Sequence, residues 1–349
     1  MSRRLLVSLV ALVAAIGAIV LAWPQLVGLQ DQIVFAQLVA FRAVLALSAI
    51  GIAVVLALLL LVRPLRPLAA ALGVVVVLFA AANVAILAGR GLAGSGADPA
   101  SATASTEQTT TGETVTVLSW NTLGGQPGAD VVADLALEHG ADIVSLPETT
   151  DAFATEVAEL MRAGGSPMWA YGLSFSEIYE ARSTALLISP DLGDYTLQSA
   201  GGTGPPGNTN VSPTVVAAPI SGEGPTIVAV HAVSPLRGEM GNWRSDLDWL
   251  AQQCDGGSVI MAGDFNATID HMAGRGTDGG QLGECADAAL QEGAAAIGTW
   301  PSSTPALLGA PIDHVMATAD WTPSAFEVIT SLDDLGSDHR PIVTTLTRG

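Results

Sequence analysis

Hydrophobic and polar positions divide the chain into two regimes. Up to about residue 90 the pattern consists of three long runs without a charged residue, Leu5–Ala22, Ala43–Val62 and Leu68–Gly89. Each has roughly the 20 residues a helix needs to cross a bilayer, so three transmembrane helices are predicted within residues 1–90. A cleaved signal peptide would account for the first run, which follows Arg3 and Arg4. It would leave the other two unexplained, and no clear small-x-small cleavage site precedes Trp23. Residues 91–113 (GLAGSGADPASATASTEQTTTGE) contain few large apolar side chains and read as a flexible linker.

From Thr114 onward, short β-rich runs alternate with helical spacing. Strands are predicted at Val115–Trp120, Asp142–Leu146, Thr184–Ser189, Thr214–Ile220, Thr226–Val233, Ser258–Ala262, Asp313–Ala317, Phe326–Thr330 and Ile342–Leu346. Helices are predicted at Val131–His139, Asp151–Arg162 and Trp243–Gln253. The last has Trp243, Leu247 and Leu250 on one face. This alternation predicts an α/β domain over residues 114–349, with mixed sheets and helices packed outside them.

Charge separates the same two regimes. Residues 1–97 carry six arginines and one acid, Asp31, whereas residues 98–349 carry seven arginines against 32 acids. The chain has no lysine, which excludes a Lys Schiff base or a P-loop. The scarcity of cations also argues against a broad basic face for nucleic acid. Arg3 and Arg4 precede the first run, and Arg63 and Arg66 lie between the second and third. The first link has Asp31 and no arginine until Arg42. The positive-inside rule then makes the N-terminus cytoplasmic, outvoting Arg90. Three crossings make the chain a multi-pass cell-membrane protein with its C-terminal domain extracytoplasmic. Cys254 and Cys285 both fall in that outer part, where a disulfide is permitted; their pairing stays open at this stage.

Chemically competent residues fall where apolar strands end: Asn121, Glu148, His231, Asp264 with Asn266, Asp313, and Asp338 with His339. Asp264 and Asn266 are two apart, so on an extended chain they face the same side. Taken alone, each residue has an ordinary explanation, such as an Asx turn, a loop acid or a core histidine. Taken together, they suit chemistry at phosphate. Glu148 is a hard oxygen ligand suited to Mg²⁺, and Asn121 adds an amide. His339 reads as a general base whose tautomer Asp313 fixes, and His231 as a donor to a phosphate oxygen. HExxH, GxSxG and CxxC are absent, so zincin, lipase-type serine and thioredoxin chemistries have no foothold. His271 and His314 are assigned structural roles.

The ordered series SWN, LPET, VH, GDFN, IDH and SDHRP resembles the endonuclease/exonuclease/phosphatase superfamily. That group includes pancreatic-type deoxyribonucleases, abasic-site endonucleases, bacterial sphingomyelinases and inositol polyphosphate 5-phosphatases. The resemblance covers residues 114–347, and GDFN and SDHRP are its most specific pieces. It implies a four-layer α/β sandwich with a metal-dependent phosphodiesterase or phosphatase site at one sheet edge. The metal would be Mg²⁺, with Mn²⁺ as a substitute. By resemblance, Asn121, Glu148 and Asp338 lie at the metal. Asp264 and Asn266 orient water and the scissile phosphate, His231 matches the second histidine of some branches, and His339 with Asp313 handles the proton. Pro147 departs from the family, which commonly has Gln before the Glu.

A lipid headgroup or small phosphodiester is the favoured substrate, because the bilayer places lipid beside the enzyme and the outer domain repels polyanions. An extracellular nuclease using Arg182, Arg237, Arg244, Arg275 and Arg340 is the alternative. A catalytically silent membrane-tethered binding module is the third reading.

Overall fold

The computed structural model of the chain describes residues 2–92, 113–176, 178–199 and 203–349. Most of the 91–113 linker therefore lies outside the described residues. Two compact units result, Met1–Arg90 and Gly91–Gly349.

The first unit is helical: α1 (Arg3–Ala22), α2 (Phe35–Ala40), α3 (Arg42–Leu59) and α4 (Arg66–Arg90). Helices α1, α3 and α4 are each long and apolar enough to cross a membrane. They begin at arginines, a few residues before the apolar runs do. The short helix α2, a single apolar turn and a half, was not predicted. Arg42 is buried and donates to the Ala22 carbonyl at 3.0 Å and to Asn83 Oδ1 at 3.1 Å, which links the three long helices.

The second unit runs in the order β1 (Thr114–Ser119), α5 (Ala129–His139), β2 (Ile143–Pro147), α6 (Asp151–Ala163), β3 (Trp169–Ser174) and β4 (Ser183–Ile188). Then come β5 (Tyr195–Leu197), β6 (Val215–Pro219), β7 (Thr226–His231), α7 (Met240–Gln253), β8 (Val259–Asp264), α8 (Ile269–Met272) and β9 (Ala286–Asp287). The last elements are α9 (Ala288–Gln291), β10 (Asp313–Ala317), β11 (Trp321–Val328) and β12 (Ile342–Arg348). Two six-stranded sheets form, ordered β11-β12-β1-β2-β4-β3 and β5-β6-β7-β8-β10-β9. Each is mixed: β1 with β2 and β7 with β8 are parallel, and the other neighbours are antiparallel. Helices flank the sheets, as the α/β sandwich expectation requires.

Side-chain alternation builds the core. Val115 and Val117 of β1, Ile143 of β2, Ile227 of β7, Ile260 of β8 and Val315 of β10 meet in one buried cluster between the sheets. Leu118, Val144 and Leu146 turn the other way, under Val132 and Ala136 of α5 and Val157 and Met161 of α6. The central strands are buried on both faces, which is why they read as continuous apolar runs. Helix α5 ends at Gly140, whose left-handed conformation (φ 60°) suits glycine. Helix α6 is capped by Thr150, whose side chain accepts from Phe153 N at 3.3 Å. Ser145 Oγ donates to the Ala262 carbonyl at 2.7 Å and so joins the two sheets across the core.

Sequence periodicity missed three strands. β5 and β9 are three and two residues long, too short to show a period. β3 is a half-exposed edge strand interrupted by Gly172. β11 starts five residues earlier than predicted, because Pro323 sits at a register shift on an edge strand where its missing N–H is tolerated. Cys254 and Cys285 form a disulfide, with Cα atoms 5.6 Å apart.

Candidate active site

One sheet edge collects the polar residues. β1 and β2 end there, delivering Asn121 and Glu148, and β7 and β8 end there with His231 and Asp264. Asp313 and His339 arrive differently from the expected C-terminal strand ends. Asp313 opens β10 and His339 precedes β12, both antiparallel to their neighbours, so their N-terminal ends share the same edge. In register, His231 lies beside Asp264 and Asp264 beside Asp313, a transverse row over three strands.

The bonds within the cluster are short and mostly buried. His339 Nδ1 and Asp313 Oδ2 are 2.9 Å apart, and His339 Nε2 faces Asp264 Oδ2 at 3.8 Å. Asn121 Nδ2 donates to Glu148 Oε1 at 3.0 Å and to Asp264 Oδ2 at 3.2 Å. Asn266 donates twice to Asp264, from its backbone N at 2.8 Å and from Nδ2 at 3.0 Å. His231 Nε2 lies 3.9 Å from Glu148 Oε1, and its Nδ1 is 3.4 Å from Thr184 Oγ1. Asp338 Oδ2 accepts from the indole N–H of Trp300 at 2.9 Å.

Local backbone shape aims these groups. Glu148 (φ 53°) and Asn266 (φ 48°) adopt the left-handed region, which is uncommon without glycine and concentrates at functional sites. Gly263 has φ 149°, and a Cβ there would collide with the Val230 backbone, so only glycine fits this close approach.

Several supporting residues escaped the sequence reading. Trp120 Nε1 donates to the His339 carbonyl at 2.9 Å, and Ser337 Oγ donates to the Asn121 carbonyl at 2.6 Å while accepting from His339 N at 3.0 Å. Trp243 Nε1 holds the Asn266 carbonyl at 3.0 Å. Trp120 and Ser337 lie inside the SWN and SDHRP strings, so the signal was present. Thr184 and Trp300 carry no local motif, and only the fold reveals them. His314 bonds Asp287 at 2.6 Å and the Ala267 carbonyl at 2.9 Å, away from the edge, and His271 Nδ1 accepts from Thr268 N at 2.7 Å.

Electrostatics separates the titratable groups. Burial works against a charge on His339, but the carboxylates of Asp313 and Asp264 outweigh it and push its pKa up to about 10. Burial, then the positive His339, pushes His231 down to about 3. Burial raises Asp264 to about 7, opposed by His339. Glu148 is raised by burial, with Asp338 and Asp313 adding repulsion. His231 is thus neutral near pH 7 and suited to hydrogen bonding. In the metal-free protein the Asp313 and Asp264 carboxylates favour the protonated form of His339.

Crowded carboxylates form an oxygen donor set that fits a hard divalent ion. Asp264, Asp313 and His339 bring ligand atoms within 4.8 Å of one another. Asp313 Oδ1 is buried without a hydrogen-bond partner, and Glu148 and Asp264 share one Asn121 nitrogen. The Asn121 oxygen accepts from Leu123 N at 3.0 Å, which leaves it a second lone pair.

The model of the Endonuclease/Exonuclease/phosphatase family matches residues 118–339. The chain belongs to that family. Its members are phosphoester hydrolases that typically use a divalent metal. Among solved structures, the chain is similar to an endonuclease/exonuclease/phosphatase from Bacteroides vulgatus, at 15% identity, covering 68% of this chain and 100% of that one with a TM-score of 0.50. It is similar to D. rerio TDP2 humanized by 14 mutations, at 18% identity, covering 67% and 98% with a TM-score of 0.50. At these identities the likeness shows the shared fold. No curated protein matches the chain by sequence.

Proposed function

We propose that the chain is a membrane-anchored, extracytoplasmic, Mg²⁺-dependent phosphoesterase that hydrolyses a lipid headgroup or small phosphodiester by direct attack of water. The observation that carries this reading is the His339–Asp313 pair, whose free Nε2 faces Asp264 across 3.8 Å at the edge that also holds Glu148, Asn121 and His231.

The roles follow from geometry. An imidazole set between two carboxylates retains its proton, so His339 presents an N–H to a phosphoryl oxygen and Asp313 keeps the ring oriented. Proton acceptance passes to Asp264, which Asn121 and Asn266 hold in place and which takes the proton of the attacking water. Neutral His231 donates a hydrogen bond to a second phosphoryl oxygen. Glu148 and Asp338 would hold the divalent ion, which offsets phosphate charge and polarises the scissile bond when bound.

The arginines support a small or lipid substrate over a polynucleotide. Arg340 is buried, bonded to Asp333 and to the Gly298, Ser302 and Thr304 carbonyls. Arg182 donates to Asn210 and Val211 carbonyls, and Arg275 pairs with Asp248 at 2.7 Å. At least three of the five arginines that could meet a phosphate backbone are therefore engaged internally. The disulfide supports an oxidising, extracytoplasmic compartment, in line with the arginines at positions 3, 4, 63 and 66.

The test is a Mg²⁺-dependent hydrolysis panel on the purified full chain: bis-p-nitrophenyl phosphate, sphingomyelin, phosphatidylinositol phosphates and plasmid DNA, with Glu148→Ala and His339→Ala as controls. Hydrolysis of the first or of a lipid, lost in both variants, is expected. Cleavage of DNA alone would make the protein a nuclease, and no turnover by folded protein would make it a binding module.

A further inference from the structure

The catalytic mouth is rimmed by large apolar side chains that the hydrolytic reading does not use. Among the described residues of the second unit, ten large hydrophobics are exposed, and six of them lie on the loops of the active-site edge. These are Leu123, Ile178, Tyr179, Leu236, Leu307 and Leu335, with Ile178 83%, Tyr179 67% and Leu236 63% exposed. Their positions follow from the topology. Leu123 N bonds Asn121, and Leu335 precedes Gly336 and Ser337, whose hydroxyl bonds the Asn121 carbonyl. Ile178 and Tyr179 lie on the loop entering β4, whose Thr184 meets His231. Leu236 follows β7, which ends in His231, and Leu307 lies on the segment that brings Trp300 against Asp338.

Single exposed apolar residues are ordinary, but a set gathered around one mouth marks an interaction surface. We propose that this rim docks the catalytic edge onto the surface of a zwitterionic phospholipid bilayer, the apolar tips inserting between headgroups while the site faces the lipid phosphates. The proposal rests on the phosphoesterase reading only for its consequence, that the substrate is an amphiphilic phosphoester.

Three observations choose a bilayer over other occupants. The same chain has three helices apolar enough to cross one. The 20 residues between Leu92 and Glu113 span at most about 70 Å when fully extended, which confines the second unit near that surface. The six tips come from five separate loops instead of one continuous face, an arrangement that suits individual insertion better than a flat protein contact. The acidity of residues 98–349 then selects zwitterionic over anionic lipid.

The test uses the full chain in phosphatidylcholine vesicles. Both native cysteines are in the disulfide, so an introduced cysteine is the free thiol to label. An environment-sensitive fluorophore is placed at Ile178→Cys, Leu236→Cys or Ile220→Cys. Ile220 is equally exposed but sits at the opposite end of β7. Nitroxide-bearing phosphatidylcholine should quench the first two by more than roughly half and leave the third nearly unchanged. No quenching at 178 and 236, or equal quenching at 220, overturns the proposal. In that event, a response to added single-stranded DNA would assign the rim to a polynucleotide, and a response to protein density would assign it to a second copy.

A double variant, Ile178→Ser with Leu236→Ser, reads the consequence. Turnover of dodecyl p-nitrophenyl phosphate in the bilayer should fall roughly tenfold while that of soluble bis-p-nitrophenyl phosphate is unchanged. Equal effects on both would refute the link to substrate. Quenching with no hydrolysis of either substrate would defeat the phosphoesterase reading and leave the docking standing.

Discussion

Replacing Glu148 with glutamine should make the metal-free protein more stable and the enzyme nearly inactive. Glutamine keeps the shape and still accepts the Asn121 N–H, so the change removes chiefly a charge. That charge is unfavourable in the folded state, because burial raises the Glu148 pKa and Asp338 and Asp313 add repulsion. The Glu148 and Asp264 oxygens are bonded to one nitrogen at 3.0 and 3.2 Å, so they lie at most about 6 Å apart. At an effective dielectric of about 20, two full charges at that distance repel by about 3 kcal/mol. Asp264 is only part-ionised near its pKa of about 7, and losing the attraction to His339 offsets some of the gain. A net stabilisation of about 1 kcal/mol remains, or a rise of about 2–4 °C in melting temperature. The assay is thermal unfolding of the full chain in EDTA and in Mg²⁺. Wild type should gain stability with Mg²⁺, and Glu148→Gln should gain little and lose roughly two decades of turnover. A lower metal-free melting temperature than wild type, or an undiminished Mg²⁺ response, would refute the argument.

Other outcomes follow from the same geometry. His339→Ala should cost roughly two or more decades in turnover, and Asp313→Asn should cost nearly as much with the fold intact, as steady-state kinetics would show. Because the folded pKa of His339 is raised to about 10, its contribution to stability is complete below about pH 6.5 and is lost as pH rises through 10. Chemical denaturation of metal-free protein across that window should show falling stability, and a flat profile would contradict the assignment. Cys254→Ser with Cys285→Ser opens a crosslink across a sequence separation of 31. It should destabilise the second unit by about 3–4 kcal/mol, measured by denaturant titration.

The sequence showed the fold where strands are buried on both faces and long enough to display a period, as in β1, β2, β7 and β8. It failed where tertiary pairing alone makes a strand, as in β3, β5 and β9. The candidate site was legible as strings, since residues at loop–strand junctions follow apolar runs directly. Strand direction was not. Asp313 and His339 share the edge because β10 and β12 run antiparallel, and no local pattern encodes that. The proton inventory was also hidden. Only the fold shows that His339 stands between Asp313, at 2.9 Å, and Asp264, at 3.8 Å. The partners Thr184 and Trp300 reach the site across 47 and 38 positions of chain.

The transverse row of His231, Asp264 and Asp313 has a consequence for how such a protein can change. Their mutual placement is fixed by hydrogen-bonded strand registry, at about 4.8 Å per strand, and hardly at all by the segments that connect them. Forty-eight residues separate Asp264 from Asp313. Lengthening, trimming or exchanging that connection leaves the row intact, whereas one residue inserted within β8 or β10 inverts every side chain beyond it. The reactive hardware is thereby insulated from the recognition surface, and specificity can be rebuilt one connection at a time.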